Sequence, residues 1–368
     1  MPVKYEYFEV GKNKLSDVRV ISRQAPPLSD GEILTRVDRF ALTANNITYG
    51  IVGDKLGYWN FFPADDGWGI IPVWGFADVI ESLHPDIDVG ERLYGYWPMG
   101  SHLVMRPGGL KGSRLFDTVA HRAELSPVYN AYVRTNREPH YDPSMDDERM
   151  LLFPLYATSF CLHDFLLDNN YFAASQIVIP SASSKTAIGL AYGLKNDTES
   201  PICVGITSPG NYEKTKALDL YDSVITYDAI RDIDNLRPTV IVDMSGNGSV
   251  LSELHGHLGD NMMFTSNVGI THYDANETGS QFIRERSAMF FAPGHIQKRT
   301  QEWGPGEFEK KAFKFWYEAS MHSRNWLKIA YYTGMDDLAR VYELVLNGEI
   351  AADKGIIVSQ DTVKGSKD

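Results

Sequence analysis

The sequence predicts an α/β fold in which a β-rich part is followed by a doubly wound parallel sheet. Residues 31–40 alternate apolar and polar side chains after a turn, as a half-buried strand does. From residue 176 onward, short apolar runs alternate with helical patterns, which is the order of a parallel sheet with right-handed crossovers. Residues 306–358 add two helical patterns and two strands, so the chain ends on a helix–strand return.

The composition argues against several classes of partner and site. The 368 residues carry 35 Lys and Arg against 48 Asp and Glu, a formal charge of −13, and no basic run occurs. Nucleic acids and anionic membranes both require a basic footprint, so neither is expected as a partner. Two cysteines make no disulfide framework and no four-thiolate zinc site. The N-terminus lacks the apolar core of a signal peptide, and no apolar run is expected to reach the length that crosses a bilayer, so we expect a cytoplasmic protein.

The β-rich part contains further predicted strands and two irregular stretches. Strands are expected at 73–82, 92–96 and 101–107. Residues 44–60 have no clean period and are rich in Gly, Asn and aromatic side chains, which predicts a long loop that either walls a site or packs on the surface. Residues 111–150 are polar and irregular, which indicates an excursion plus a linker.

The second part is predicted to begin with a buried helix at 150–166, followed by alternating strands and helices. Strands are expected at 176–180, 201–206, 223–227, 239–243 and 262–266, with helices at 184–195, about 210–218 and 249–257, and an edge strand at 288–292 that Pro293 ends. Beyond them, a helix at 306–324, a strand at 326–331, a helix at 335–347 and a strand at 355–359 are expected.

The turn between the first strand and helix of that sheet carries the main functional signal. A β-branched run ends in Ser181-Ala182-Ser183-Ser184-Lys185-Thr186, and a helical pattern starts at once. A helix N-terminus after such a turn offers unpaired N–H groups and a positive dipole end to a dinucleotide pyrophosphate. The alternative is a serine-capped helix that binds nothing. A nucleoside-triphosphate loop is rejected because its two flanking glycines are missing.

The order of these elements resembles the medium-chain dehydrogenase/reductase superfamily over nearly the whole chain. The similar stretches are 76–82 with 88–95, the strand–turn–helix 176–195, and 337–344 with 353–358. Ser183–Thr186 and Phe290–Pro293 are similar to stretches of the DUF2855 branch. The resemblance implies a GroES-like catalytic domain at 1–150, a Rossmann-type dinucleotide-binding domain at 151–305, a return to the catalytic domain at 306–368, and a homodimer through strand 288–292.

This sequence departs from the zinc-using members of that superfamily. Those members place Cys, and Gly-His-Glu, where this chain has Phe40–Ala44 and Trp74–Phe76. Neither stretch supplies a metal ligand, whereas a catalytic zinc needs about three from the protein. The zinc-free quinone and enoyl reductases are therefore the better comparison, and no metal site is predicted.

The cofactor expected from the resemblance is NADP(H) rather than NAD(H). Ala187 replaces the third, packing glycine of the family turn. An acid at the end of the second strand would hold the ribose 2′-hydroxyl, but Thr207 and Ser208 stand there. Hydroxyls and a lysine suit a 2′-phosphate. The predicted cofactor-binding residues are Thr158, Ser181, Ser183, Ser184, Lys185, Thr186, Ser208, Asn211, Tyr212, Lys214, Tyr227, Ser245, Gly246 and Asn267, with plain packing left open for Tyr227 and a turn role for Asn267.

Without a metal, a tyrosine hydroxyl is the expected proton donor. The resemblance places it in the segment 44–60, which offers Tyr58 and, as the second choice, Tyr49. Substrate contacts are expected from Trp59, Ser159, His163 and Phe291, and from Asn45 and Asn46, which alternatively brace the segment. Packing roles remain open for His163 and Phe291.

The sequence thus predicts a zinc-independent, NADP(H)-dependent reductase acting on a small apolar carbonyl or enoyl substrate. Its hydride acceptor would be an enone, an enoyl thioester or a ketone. Two alternatives stay open: a non-catalytic NADP(H)-binding redox sensor, and a lyase or decarboxylase on the same scaffold.

Overall fold

The computed structural model describes residues 4–268 and 281–360, which divide into two compact units. The strands are β1 (Lys4–Gly11), β2 (Lys14–Gln24), β3 (Ile33–Leu42), β4 (Trp68–Gly69), β5 (Pro72–Ser82), β6 (Arg92–Pro98), β7 (His102–Met105), β8 (Pro107–Lys111), β9 (Arg114–Asp117), β10 (Ala131–Arg134), β11 (Gln176–Pro180), β12 (Ile202–Thr207), β13 (Ser223–Thr226), β14 (Thr239–Asp243), β15 (Met262–Asn267), β16 (Ser287–Met289), β17 (Lys328–Thr333) and β18 (Lys354–Ser359). The helices are α1 (Ala44–Ile51), α2 (Gly53–Leu56), α3 (Asp146–Asp168), α4 (Lys185–Lys195), α5 (Tyr212–Ala217), α6 (Gly248–Leu258), α7 (Ala292–Trp303), α8 (Glu307–Ser323) and α9 (Gly334–Leu346).

Unit 1 comprises the chain up to Leu151 and from Lys328 onward. Its main sheet has the order β17-β18-β3-β5-β6-β10-β9-β8, with β7 also paired to β3, and a smaller sheet has the order β2-β1-β4. The C-terminal return joins this unit because β18 pairs antiparallel with β3. Its core includes Phe8, Phe40, Trp97, Tyr132 and Val341, all fully buried.

Two sequence predictions in unit 1 were wrong. Residues 44–60 are not a loop: α1, α2 and a 3₁₀ turn at Tyr58–Asn60 follow one another there. Residues 111–150 are not only an excursion and linker, since β9 and β10 extend the main sheet. Both strands have only four residues. Strands that short do not produce enough alternation to be recognised in the sequence.

Unit 2 spans Leu152–Leu327. Its six strands have the order β13-β12-β11-β14-β15-β16, and each neighbouring pair is parallel. This is the 3-2-1-4-5-6 order of the doubly wound Rossmann sheet. The predicted strands 176–180 and 239–243 are confirmed residue for residue, and β16 lies at the sheet edge as expected. The predicted edge strand 288–292 is shorter, since β16 ends at Met289. Pro293 does not end it but belongs to the first turn of α7, where its missing N–H costs nothing.

Helix α8 lies in unit 2, although the sequence placed residues from 306 onward in the return to the first domain. Its buried side chains explain the difference. Phe308 packs in one cluster with Cys161 of α3, and the Trp316 ring lies 5.5 Å from that of Phe153. The amphipathic pattern of α8 is visible in the sequence, but the partner of its apolar face is not.

The helical stretch Pro143–Asp168 is long and apolar enough, by length and composition, to cross a membrane. The expectation that no apolar run reaches that length was therefore wrong. Within unit 2, Leu152, Tyr156, Leu162 and Leu166 of this stretch are fully buried. The core helix of a soluble protein meets the same length and composition test.

The connection between α3 and β11 has an unusual backbone. Asn170, Tyr171, Phe172 and Ala173 all have φ between 48° and 56°, in the left-handed region. Left-handed geometry costs a residue with a Cβ about 1–2 kcal/mol, so this turn is held by its surroundings. The Tyr171 hydroxyl donates to Asp197, and the Phe172 ring is stacked 4.2 Å from that of Phe264.

Ala173→Gly is expected to raise the free energy of unfolding by about 1 kcal/mol, because Ala173 is exposed and glycine adopts its φ without strain. Ala217→Gly, an exposed site in α5, should instead cost about 0.5–1 kcal/mol. Urea unfolding of both variants measures the difference. Equal changes in the free energy of unfolding for the two variants would contradict backbone strain at Ala173.

Candidate functional site

The turn from β11 into α4 lies at the carboxyl end of the parallel sheet, where open α/β sheets bind ligands. Ser184 is the N-cap of α4, and its hydroxyl accepts from the backbone N–H of Ala187 at 3.3 Å. The helix starts at Lys185, so Lys185 and Thr186 belong to its first turn, where backbone N–H groups lack helical partners. Ser184 therefore caps the helix, as expected from the alternative of a serine-capped helix. Capping does not prevent the helix N-terminus from binding an anion.

Two residues that follow β12 and β13 brace this turn. The backbone N–H of Ser181 donates to the Tyr227 hydroxyl at 2.9 Å, and Asn211 Nδ2 donates to Ser183 Oγ at 3.2 Å. Ser181 has φ +58°, the left-handed region that favours glycine. Four predicted cofactor residues therefore meet around one turn, although the first and last of them are 46 positions apart in the sequence. They are Ser181, Ser183, Asn211 and Tyr227.

Close packing of α4 against α3 depends on Gly189, and Ala187 is fully buried in the same helix. A Cβ at Gly189 would lie 2.6 Å from Ser159 Oγ and 2.6 Å from the Tyr156 ring. Ser159 is fully buried, and its hydroxyl donates to Thr186 O at 2.8 Å. Ser159 therefore ties α3 to the first turn of α4, a bracing role that differs from the predicted substrate contact.

Other predicted cofactor residues lie at or just after the carboxyl ends of β12, β14 and β15. Ser245 N and Gly246 N donate to the Asp243 carboxylate at 2.9 and 3.0 Å, which shapes the turn after β14. Asn267 is buried at the end of β15. Ser208 and Asn211 frame a 3₁₀ turn after β12, and Tyr212 and Lys214 follow it in α5. Thr158 lies within α3, where its hydroxyl donates to Pro154 O.

His163 is held by a network within unit 2. Its Nε2 lies 3.2 Å from Asp197 Oδ2, and burial lowers the pKa of its imidazole, although Asp197 partly offsets this. A Cβ at Gly193 would lie 3.2 Å from the His163 ring. These contacts favour the packing role over the predicted substrate contact. Phe291, in contrast, is 51% exposed.

In unit 1, the predicted tyrosines belong to one aromatic cluster. We call Tyr49, Tyr58, Tyr96, Tyr129 and Phe61 the tyrosine cluster; the ring centroids of Tyr49 and Tyr58 lie 4.6 Å apart, and those of Tyr96 and Tyr129 lie 4.7 Å apart. The hydroxyls of Tyr58 and Tyr129 are hydrogen-bonded at 3.1 Å, and Trp74 Nε1 donates to Tyr49 Oη at 3.3 Å. The structure therefore brings both predicted proton donors together.

Burial controls the acidity of these hydroxyls. It raises the pKa of Tyr58, with a smaller opposing effect from the hydrogen bond to Tyr129, and it also raises the pKa of Tyr49. Like any tyrosine, both are protonated at neutral pH, which is the state a proton donor needs, and the raised pKa keeps them protonated to a higher pH. Tyr129 was missed by sequence reasoning because it is 71 positions from Tyr58 and lies in the stretch taken for a linker.

The remaining predicted residues of this segment have structural contacts. Asn46 is buried; its Oδ1 accepts from Thr43 N, and its Nδ2 donates to Pro72 O, so its amide braces α1 against β5. Trp59 is buried between two glycines, since a Cβ at Gly53 or Gly69 would lie 2.2 or 2.4 Å from the indole. Asn45 is half-buried beside the Tyr49 hydroxyl. For Asn46, these contacts favour the bracing alternative.

The histidine pair at the end of α6 is used in packing. His255 is buried, its Nδ1 accepts from Ile283 N at 2.9 Å, and its Nε2 lies 2.9 Å from Thr265 Oγ1. His257 Nε2 lies 2.8 Å from Ile233 O. Within residues 4–268 and 281–360, no three His, Cys, Asp or Glu side chains are grouped as metal ligands.

Burial lowers the pKa of His255 to about 4. Because the unfolded chain has a His pKa near 6.5, it binds the proton first as the pH falls, so the contribution of His255 to stability is lost between about pH 6.5 and 4. The wild-type protein should lose about 2 kcal/mol more than His255→Gln between pH 7 and pH 5. Urea unfolding at the two pH values measures this loss, and equal losses would contradict the shift.

The fold, a GroES-like β-rich domain plus a Rossmann domain, is similar to the folds of several solved enzymes. CurA from Vibrio vulnificus superposes with a TM-score of 0.63 at 13% identity, covering 98% of this chain and 99% of that chain. The quinone oxidoreductase from Coxiella burnetii gives 0.56 at 12% identity, covering 98% of this chain and 100% of that chain. CurK enoyl reductase gives 0.60 at 11% identity, covering 97% and 99%. At such identities, the likeness shows the fold.

The family is established by sequence. The model of the family described as "Protein of unknown function (DUF2855)" matches residues 40–351. The chain belongs to this family. No curated protein matches the sequence.

Proposed function

We propose that this protein is a zinc-independent oxidoreductase that uses NADP(H) to reduce an activated alkene or a ketone. The observation that carries the proposal is the β11–α4 turn, where a helix N-terminus, three serines and the braces from Tyr227 and Asn211 meet at the carboxyl end of the sheet. Such a turn binds a pyrophosphate through backbone N–H groups and hydroxyls.

The 2′-phosphate of NADP is favoured by the residues at the end of β12. Thr207 ends that strand and Ser208 comes next, so no carboxylate stands at either position to hold a ribose 2′-hydroxyl or to repel a phosphate. Lys214 is exposed on α5 nearby in the chain. CurA has been crystallised in complex with NADPH, and its fold matches this chain with a TM-score of 0.62. These points together support NADP(H) over NAD(H).

The tyrosine cluster supports a reductase rather than a binding protein. When bound, the nicotinamide supplies a hydride to the substrate. The Tyr58 hydroxyl, oriented by its hydrogen bond to Tyr129, would donate the proton to the anion that hydride addition leaves. Zinc independence rests on the residue types at Phe40–Ala44 and Trp74–Phe76, none of which is a zinc ligand. A cytoplasmic location is proposed with it, since Cys161 and Cys203 are both buried and unpaired.

Two assays test this function. NADPH should raise the melting temperature more than NADH, and NADPH oxidation should then be followed at 340 nm with a panel of enones, enoyl thioesters and ketones. Turnover of at least one class supports the reductase. A thermal shift without any turnover would instead indicate the redox sensor. If neither nucleotide shifts the melting temperature, the oxidoreductase and the sensor are both excluded, and the lyase or decarboxylase remains.

A further inference from the structure

The β11–α4 turn has a strained backbone but no glycine. Ser181 is the first residue after β11, and its φ of +58° is a left-handed conformation that is unfavourable for a residue with a Cβ. Dinucleotide turns normally use glycine where the chain bends this tightly, but residues 181–184 contain none. The conformation of Ser181 must therefore be held by contacts from outside the turn.

Tyr227 holds the backbone N–H of Ser181. This N–H donates to the Tyr227 hydroxyl at 2.9 Å. Tyr227 directly follows β13, and β12 lies between β13 and β11, so the side chain reaches past the end of β12 to the turn. The Tyr227 ring packs against a core cluster that includes Ile206 and Ile230. This packing fixes the place of the hydroxyl that accepts from Ser181.

Tyr221 holds the next peptide group of the turn. Its side chain is buried, and its hydroxyl donates to the carbonyl oxygen of Ala182 at 2.8 Å. A Cβ at Gly205 of β12 would lie 2.9 Å from the Tyr221 ring and 2.9 Å from Ala182 Cβ. The missing side chain at Gly205 therefore makes room for both groups, and Tyr221 can reach the turn only because of it.

The two tyrosines approach the turn from opposite faces of the parallel sheet. Tyr221 belongs to the same core cluster as Ile179, whereas Tyr227 packs against a separate cluster that contains Val178. Neighbouring residues of one strand point to opposite faces, so these clusters lie on different sides of β11. The turn is thus fixed from both sides by side chains of the same type.

These contacts use one part of the turn and leave another part available. The backbone N–H and C=O groups of Ser181 and Ala182 all have partners in the protein. Among the residues that the structure describes, none accepts from the backbone N–H of Ser183 or of Thr186. These two N–H groups are the donors that the fixed turn can offer to a phosphate.

We propose that Tyr221 and Tyr227 are positioning residues for the pyrophosphate of NADP(H). Their hydroxyls hold Ser181 in the conformation that a glycine would otherwise provide, and the N–H groups of Ser183 and Thr186 are placed as a result. Both tyrosines act through the backbone of the turn. The proposal rests on the proposed function, because its ligand is the nucleotide of that site. Tyr221 was not among the residues predicted from the sequence.

Isothermal titration of NADPH against wild type, Tyr227→Phe and Tyr221→Phe tests the proposal. Each substitution keeps the ring and removes one hydrogen bond to the turn, so each variant should bind NADPH about five- to tenfold more weakly. The matched control is Tyr171→Phe, which removes a hydroxyl bonded to Asp197 before β11 starts, away from the turn. The control should bind NADPH as wild type does.

A second substitution separates positioning from a general loss of stability. Ser181→Gly, combined with Tyr227→Phe, should restore the Kd for NADPH to within about threefold of wild type, because glycine adopts the left-handed conformation without strain. A variant that is merely destabilised would gain no affinity from this glycine. Tyr227 is half-buried, so Tyr227→Phe keeps the test valid if Tyr221→Phe fails to fold.

Three results would overturn the proposal while leaving the proposed function intact. They are wild-type affinity for NADPH in Tyr227→Phe, an equal loss of affinity in Tyr171→Phe, and no recovery on adding Ser181→Gly. In each of them, wild-type protein still binds NADPH. Absence of NADPH binding to wild type is a different result, which overturns the proposed function and this proposal with it.

Discussion

Replacing Arg122 with methionine is expected to lower the free energy of unfolding by about 3–5 kcal/mol, the cost of leaving a buried charge without its partner. Arg122 is fully buried, and its guanidinium lies 3.1 Å from Asp117 Oδ2. It also donates to Phe61 O at 3.0 Å and to the Tyr132 hydroxyl at 3.0 Å. One side chain thus neutralises a buried acid and holds the backbone beside the tyrosine cluster.

The expected loss depends on pH. Burial raises the pKa of Asp117 even in the presence of Arg122. Without the guanidinium the pKa rises further, so folding of the variant favours the protonated acid, and the variant recovers stability as the pH falls below that raised pKa. Urea unfolding at pH 7 and pH 5 should show the gap to wild type narrowing at the lower pH.

The matched control is Arg340→Met in the same unit. Arg340 is paired with Asp337, but its side chain is 76% exposed. An exposed pair is worth at most about 1 kcal/mol, so this variant should unfold nearly as wild type does. Equal effects of the two substitutions would show that Arg122 does not carry a buried charge network.

Tyr58→Phe is expected to lower kcat for the reduced substrate about a hundredfold or more, the usual contribution of a positioned general acid. The substitution keeps the ring that packs 4.6 Å from Tyr49 and removes only the hydroxyl bonded to Tyr129. NADPH affinity should be unchanged, since Tyr58 is not part of the β11–α4 turn. Steady-state kinetics with a substrate found in the panel measures the effect.

Tyr342→Phe provides the control for losing a buried tyrosine hydroxyl. Its hydroxyl donates to Leu15 O at 2.9 Å, and its ring contacts Phe8, outside the tyrosine cluster. Both variants should lose about 1 kcal/mol of stability, but only Tyr58→Phe should lose turnover. Unchanged turnover in Tyr58→Phe would remove this proton donor and make Tyr49 the next candidate.

The sequence predicted the parallel sheet well because its central strands β11 and β14 are buried on both faces. The strand Gln176–Pro180 is buried throughout, contains the apolar run Ile177–Ile179 and is followed by a helical pattern, so its element type follows from local signals. The sequence could predict that Ser181, Ser183, Asn211 and Tyr227 lie near one another, because all four follow parallel strands. It could not predict the hydrogen bonds of Ser181 with Tyr227 and of Ser183 with Asn211.

The remaining features depend on contacts distant in the sequence. Nothing near Tyr129 indicates that it meets Tyr58, and nothing near His295 indicates Asp164, which lies 131 positions away. The left-handed turn at Asn170–Ala173 contains no glycine, so propensity argues against it. Such features arise from tertiary packing that overrides local preference.

The central claim is that the turn from β11 into α4 binds the pyrophosphate of NADP(H). Isothermal titration of NADPH and NADH against wild type, Ser183→Asp and Ser223→Asp tests it most directly. Ser183→Asp keeps an acceptor for Asn211 but adds a negative charge to the turn, whereas Ser223 is exposed at the start of β13. NADPH should bind more tightly than NADH, Ser183→Asp should weaken NADPH at least about tenfold, and Ser223→Asp should have no effect. Absence of NADPH binding to wild type, or equal affinity in Ser183→Asp, would contradict the claim.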